Sequence, residues 1–348
     1  MKNKNLLFAL AIVCGSLLTS NAAFAQELSS PFSSIDIAGA SQTQVWAISG
    51  NTIAGQYTDS TGQTHGFSEN VNGSDFTTID YLTPKSSAAV ADGYVQSQVR
   101  GISGDTVQGV YYDQTGTHAF TYNEVTKAYT SFNDPSGIAS SAKMSSYAFG
   151  QSGNIVVGYY NTANGNSVGY TDIGGKFTDV VAPGVGTTGS DHTYIRGISG
   201  STIVGDYVAA GGADTGFTAT LDKNGKALSF NSINSLPSGT TASRVNGIDG
   251  SNLVGWFSTD GQKTFQGFIE NGSTFTPVID SLAGVGGSTY VTGISGNEIV
   301  GYYTSGGVSH GFTANIAAAP GAPAPPMTAC LAFAGVLVLQ ALRNRKTA

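Results

Sequence analysis

Six positions vary in residue type while the residues around them repeat: Trp46, Arg100, Phe149, Arg196, Asn246 and Thr292, with Tyr94, Tyr147, Tyr194 and Tyr290 just upstream of four of them. Aromatic rings stack on the apolar faces of sugars, and guanidinium and amide groups hydrogen-bond hydroxyls or acidic groups. Trp46, Arg100, Phe149, Tyr194, Arg196, Asn246 and Tyr290 are therefore the candidates for ligand binding, unless they only pack between structural units. The other residues able to do chemistry point elsewhere. His65, His118 and His310 recur at one place in the pattern, and three imidazoles are enough for a metal. Val168, Thr215 and Gln266 fill that place in the remaining copies. The expectation is therefore that each imidazole hydrogen-bonds within its own unit and that no metal is held.

The acidic residues repeat too. Asp36, Asp80, Asp134, Asp179 and Asp280 close or follow equivalent segments, which suits turn capping. A glycosidase pair would instead be unique to one or two units and face across a cleft, and no such pair stands out. The turns at Asp59 and Asp113 offer carboxylates to Ca²⁺, but the spacing of a calcium loop is missing and ordinary hairpin turns are expected. No nucleophile elbow, phosphate loop or zinc spacing is present, so no catalytic residue and no cofactor are assigned.

These residues sit in an internal repeat. The copies read VWAISGNTIAGQY from Val45, VRGISGDTVQGVY from Val99, AFGQSGNIVVGYY from Ala148, IRGISGSTIVGDY from Ile195, VNGIDGSNLVGWF from Val245 and VTGISGNEIVGYY from Val291. The second glycine falls at Gly50, Gly104, Gly153, Gly200, Gly250 and Gly296, and a third follows five residues later in every copy. An HGF-like triplet comes next, at His65, His118, Val168, Thr215, Gln266 and His310, and then in most copies a Phe-led run. Short runs rich in Val, Ile, Thr and Tyr between Gly, Asn and Asp turns read as strands. Four strands per repeat make a propeller blade.

The sixth copy stops after HGFTANI, and the unmatched FSSIDI from Phe32 supplies the strand it lacks. This offset predicts an all-β, closed six-bladed propeller in which the N-terminal strand completes the last blade and leaves no free edge. A β-solenoid is the alternative, but it has no reason to split a repeat across the termini. The repeats lie near 44–82, 98–135, 146–183, 194–237, 244–282 and 290–316, joined by 31–37, and the variable positions then enter the innermost strands around an axial channel. The stretch from Leu82 to Val99, with Lys85 and Asp92, departs most from the repeat.

The ends read differently. Lys2 and Lys4, an apolar run from Leu6 to Leu18 and Ala23-Phe24-Ala25 predict a signal peptide over 1–25. The propeller would span 26–318, followed by a proline-rich spacer over 319–326. Residues 327–348 carry a mostly apolar run ending at Leu342 and then Arg343, Arg345 and Lys346, the pattern of a membrane anchor with a basic stop. Both cysteines, Cys14 and Cys330, fall in these ends, so the domain between them has no disulfide. Without the ends, ten basic residues face 22 acidic ones, a net charge of about −12 that argues against nucleic acid or anionic lipid as partner.

The His118-Ala119-Phe120, His65-Gly66-Phe67 and His310-Gly311-Phe312 triplets, in register with the other copies, resemble the bacterial extracellular repeats named for a His-Ala-Phe signature, over about residues 31–316. The C-terminal segment resembles the PEP-CTERM sorting signal of Gram-negative bacteria, with Pro323-Ala324-Pro325-Pro326 in place of Pro-Glu-Pro. The resemblances imply an exported protein at the cell surface or outside the cell, held at the inner membrane before processing by exosortase-type machinery. Two functions remain: a non-catalytic surface or matrix protein binding a polysaccharide or protein through one propeller face, or a secreted propeller hydrolase or lyase acting on glycans.

Overall fold

The computed structural model describes residues 31–81, 96–137, 143–187, 189–209, 211–233, 235–272 and 274–316. The predicted signal peptide, Tyr94 with the Lys85–Asp92 stretch, and the proline-rich spacer and apolar segment lie outside the described residues. No helix among the described residues is long and apolar enough to cross a membrane.

Six four-stranded antiparallel units follow one another in sequence. Their innermost strands are Gln42–Ser49, Ser97–Ser103, Met144–Ser152, His192–Ser199, Ala242–Asp249 and Ser288–Ser295, numbered here as blades 1 to 6. In blades 1 to 5 the second, third and fourth strands pair outward in chain order. In blade 6 the outermost strand is Ser33–Ile35, antiparallel to Val308–Asn315 with Ser34 opposite Phe312. The chain is a six-bladed β-propeller whose N-terminal strand completes its last blade. Phe32 packs edge-on against Phe312 at 5.1 Å across this join.

The repeated residues explain the ring. In each hairpin after the innermost strand, the second glycine is left-handed (φ between 55° and 58°), a conformation that only glycine adopts without strain. In five of the six blades its N–H reaches back to the preceding blade: Gly104 donates to Ser49 Oγ at 3.0 Å, Gly200 to Ser152 Oγ at 3.1 Å, Gly250 to Ser199 Oγ at 3.4 Å and Gly296 to Asp249 Oδ2 at 2.7 Å. Gly50 donates to Ser295 Oγ at 3.0 Å and so ties blade 1 to blade 6. The Ser-Gly pair of the motif is thus a hydrogen bond between blades. The glycine of the HGF triplet receives the next blade: a Cβ on Gly66 would meet Val99 at 2.7 Å, and one on Gly311 would meet Val45 at 2.8 Å. Phe67, Phe120, Tyr170, Phe217, Phe268 and Phe312, which end the triplets, are fully buried. Their burial is the main driving force for blade packing, at roughly 2 kcal/mol or more per ring.

Candidate binding site

Each innermost strand carries a β-bulge at the same place. The register shifts between Val45 and Ala47, Val99 and Gly101, Ala148 and Gly150, Ile195 and Gly197, Val245 and Gly247, and Val291 and Gly293. The skipped residues are Trp46, Arg100, Phe149, Arg196, Asn246 and Thr292. A bulge turns its side chain out of the sheet's alternation, and here all six are brought together at the axis. The third glycine of the motif permits this. A Cβ on Gly205 would lie 1.9 Å from Tyr194 O and one on Gly158 1.8 Å from Tyr147 O, so the bulged strand presses onto backbone that has no side chain.

Four of the bulge residues pack on one another, and the other two bond the backbone of the next blade. The Arg100 guanidinium lies 4.3 Å from the Trp46 ring and 6.0 Å from Phe149, and Arg196 lies 5.4 Å from Phe149 and 5.1 Å from Tyr194. Asn246 Nδ2 donates to Val291 O at 2.8 Å and Thr292 Oγ1 to Val45 O at 2.9 Å, which ties blades 5 to 6 and 6 to 1. The axial cavity bounded by this ring and the Gly-Ile steps after it is about 80 Å³. It has room for a few waters and none for a sugar, since ligand pockets run to several hundred cubic ångströms. The side chains therefore close the channel, and the accessible surface lies above them, on the side where each innermost strand begins.

That mouth is ringed by the upstream tyrosines Tyr147, Tyr194 and Tyr290 and by partners that the repeat does not single out, Tyr159, Asp206, Arg244, Trp256 and Tyr302. The residue two before each bulge pairs with the residue after the third glycine: Tyr147 with Tyr159, Tyr194 with Asp206, Arg244 with Trp256, and Tyr290 with Tyr302. Tyr290 stacks on Tyr302 at 4.6 Å and Tyr302 leans on Trp46 at 5.4 Å. Tyr159 lies between Tyr147 at 4.4 Å and Tyr194 at 4.1 Å, and Arg244 covers Trp256 at 4.8 Å. Burial pushes the hydroxyls of Tyr159 and Tyr302 upward, so both are neutral phenols. Between blades 5 and 6 the rim opens into a groove of about 630 Å³, walled by Lys263, Phe265, Tyr290 and the glycine-rich turns Gly284–Gly287 and Gly306–Gly307. Phe265 sits 5.3 Å from Tyr290.

One side of the mouth is charged. Arg196 Nε donates to Asp206 Oδ1 at 2.5 Å, and Arg244 lies 3.2 Å from both Asp206 Oδ1 and Asp214 Oδ2. His192 Nε2 is 3.3 Å from Asp206 Oδ2 and from Asp214 Oδ1. Burial pushes the Asp206 carboxyl up, but Arg196 and Arg244 outweigh it and hold the group well below the usual carboxylate range. Burial pulls the imidazole of His192 down, yet the hydrogen bonds to Asp206 and Asp214 raise it to about 9. His192, Asp206 and Asp214 bring their ligand atoms within 4.8 Å of one another, but two guanidiniums and an imidazolium already neutralise the carboxylates, so the cluster does not suit a cation. Asp206, held ionised, has no proton to give and cannot serve as a general acid.

Arg100 differs from the other two arginines. Its Nη2 donates to Gln98 Oε1 at 2.5 Å, and Gln98 also accepts from the Tyr112 hydroxyl at 3.1 Å. No carboxylate meets it among the described residues. Burial lowers its pKa, with the nearby Arg196 adding to the effect.

The histidines of the triplet lie away from the mouth and from each other. His65 Nδ1 bonds Asp80 at 2.8 Å, His118 bonds Asp113 at 3.0 Å and Asn133 at 3.1 Å, and His310 bonds Asp36 at 2.9 Å. Each stacks on a tyrosine of its own blade, Tyr57, Tyr111 and Tyr303. The repeated aspartates divide between three tasks. Asp134 and Asp280 cap the turns after them, through Ser136 N and Leu282 N, both at 2.8 Å. Asp80 and Asp36 hold imidazoles, and Asp179 accepts from Tyr160. The Asp59 carboxylate is spent on its own turn, accepting from Thr61 Oγ1 and from the N–H groups of Thr61 and Gln63 at 2.7–2.9 Å.

No protein-family model matches the chain, and no curated protein matches it in sequence. Among solved structures it is similar to a fungal six-bladed propeller lectin from Aleuria aurantia, described with a fucose recognition mode, at 14% identity over 83% of this chain and 98% of the lectin, with a TM-score of 0.44. It is also similar to the propeller domain of the trilobed protease from Pyrococcus furiosus, at 10% identity over 79% of this chain and 94% of the domain, TM-score 0.43. TolB from Acinetobacter baumannii aligns at 12% identity over 77% of this chain and 65% of TolB, TM-score 0.44.

Proposed function

We propose that the chain is an exported, non-catalytic protein of the cell surface or extracellular matrix in a Gram-negative bacterium, binding a polysaccharide or a surface protein at the mouth of its propeller. The observation that carries this is the convergence of all six blades on one aromatic and cationic mouth, continuous with the 630 Å³ groove between blades 5 and 6. A polysaccharide is favoured, because half-buried rings of Tyr290, Tyr302, Tyr147 and Tyr194 offer stacking surface with hydroxyls at their edges. The ionised Asp206 is no general acid, the group a glycoside hydrolase needs at its leaving oxygen. The leader and the apolar C-terminal segment would supply export and membrane anchoring, with exosortase-type processing as the release step.

The test is a glycan array probed with the full chain, with and without Ca²⁺, and followed for cleavage products. Binding without cleavage is expected, and it should fall at least tenfold in Phe265→Ala combined with Tyr290→Ala. Cleavage products would replace this reading with the hydrolase or lyase.

A further inference from the structure

Among the described residues, no carboxylate meets the Arg100 guanidinium at the axis. Arg196 and Arg244 share Asp206 and Asp214 with His192, whereas Arg100, packed between Trp46 and Phe149, has only the neutral Gln98 as hydrogen-bond partner among the described residues. A desolvated guanidinium without an anion is costly in a fold that pairs its neighbours so closely. Only one of its five N–H donors is taken by Gln98. A second donor is also unanswered: the indole Nε1 of Trp46, buried at the same ring, has no acceptor among the described residues. An arginine without a carboxylate partner and the unsatisfied Trp46 Nε1 beside it together call for an oxygen acceptor that carries charge.

The surroundings specify what bears that oxygen. From the rim groove the aromatic rings run inward in steps of 4.6–5.4 Å, Phe265 to Tyr290 to Tyr302 to Trp46, and end at Arg100. Lys263 stands at the outer end of this path. Three arginines and the raised His192 against Asp206 and Asp214 leave the mouth with about two net positive charges, inside a domain of about −12. A long polyanion lying on the outer surface would be repelled, so the ligand must present its charge locally, as one residue or one chain end.

We propose that the ligand at the mouth is an acidic polysaccharide whose uronate carboxylate is received by Arg100 and Trp46 Nε1. This rests on the glycan-binding reading above. Arg100 binds the carboxylate through charge-assisted hydrogen bonds, and the tyrosines bear on the sugar ring behind it.

Both tryptophans of the chain, Trp46 and Trp256, belong to the mouth, so intrinsic fluorescence reports its occupancy. The full chain is titrated with neutral oligosaccharides that carry a single galacturonate, glucuronate or mannuronate residue, each beside its carboxyl-reduced counterpart, and with acetate. At least one acidic oligomer should bind about tenfold or more tightly than its reduced form. Arg100→Gln should erase that preference while leaving residual affinity for the reduced form, and Arg100→Lys should restore part of it. Arg100→Lys also serves as the test if Arg100→Gln unfolds. Acidic and reduced oligomers binding alike, with Arg100→Gln without effect, would overturn the role of Arg100 and leave glycan binding standing. Acetate binding as tightly as every oligomer overturns the sugar. No response to any oligomer, together with a silent glycan array, removes both readings.

Discussion

At the scale of the residue, Asp206 governs the mouth. Its fully buried carboxylate is met by Arg196, Arg244 and His192 at 2.5–3.3 Å. Replacing it by Asn keeps the shape and strands three cationic groups, and about 3–5 kcal/mol of unfolding free energy should be lost in urea titrations at pH 7. The partnership also sets a pH window. His192 is raised in the folded protein to about 9, above the ~6.5 of an unfolded chain. Its contribution is complete below pH ~6.5 and is lost as pH rises through about 9, a decline of roughly 3 kcal/mol. Urea midpoints at pH 6 and pH 9.5 measure this, and a wild type that is equally stable at both values would refute it. The variable residue before the first glycine was legible in the sequence because it broke a repeat. Asp206, Trp256 and Tyr302 also break one, just after the third glycine, but their nearness to the axis follows only from the strand register, which a sequence does not display.

At the scale of the element, the second and third glycines of each hairpin perform different tasks. Gly200 is left-handed with open space beside it, whereas a Cβ on Gly205 would strike Tyr194 O at 1.9 Å. Gly200→Ala should therefore cost about 1 kcal/mol, and Gly205→Ala more than 3 kcal/mol, because it opposes a buried bulge. Ser199→Ala removes the bond to Gly250 N and should cost about 0.5–1.5 kcal/mol. Thermal unfolding of the three variants gives the order; equal losses for the two glycines would contradict the bulge argument. The motif announced strands and turns, and the spacing located them within a few residues. It was silent on the bulge, because an inserted residue leaves no mark when every copy carries it.

At the scale of the whole molecule, closure depends on seven residues. Deleting 31–37 removes the Phe32 contact with Phe312, the pairing of Ser33–Ile35 and the Asp36 partner of His310. The loss should be about 3 kcal/mol or more. Moving the same segment behind Ile316 through a short linker should restore the unfolding midpoint to within a few degrees. Failure of this permutant, with wild type intact, would show that the segment does more than complete blade 6. The split sixth repeat made this closure readable from the sequence.

The same join fixes an orientation. Ile316 N bonds Asn297 O at 2.8 Å, beside the hairpin that follows the innermost strand, and Ser33 lies opposite Thr313 on that side. The described chain therefore begins and ends at one spot on the rim, on the underside of the disc. The tyrosines of the mouth crown the upper side. A tether at either end would hold the disc from beneath at a single blade, with the mouth turned away from whatever it is tethered to and toward whatever approaches.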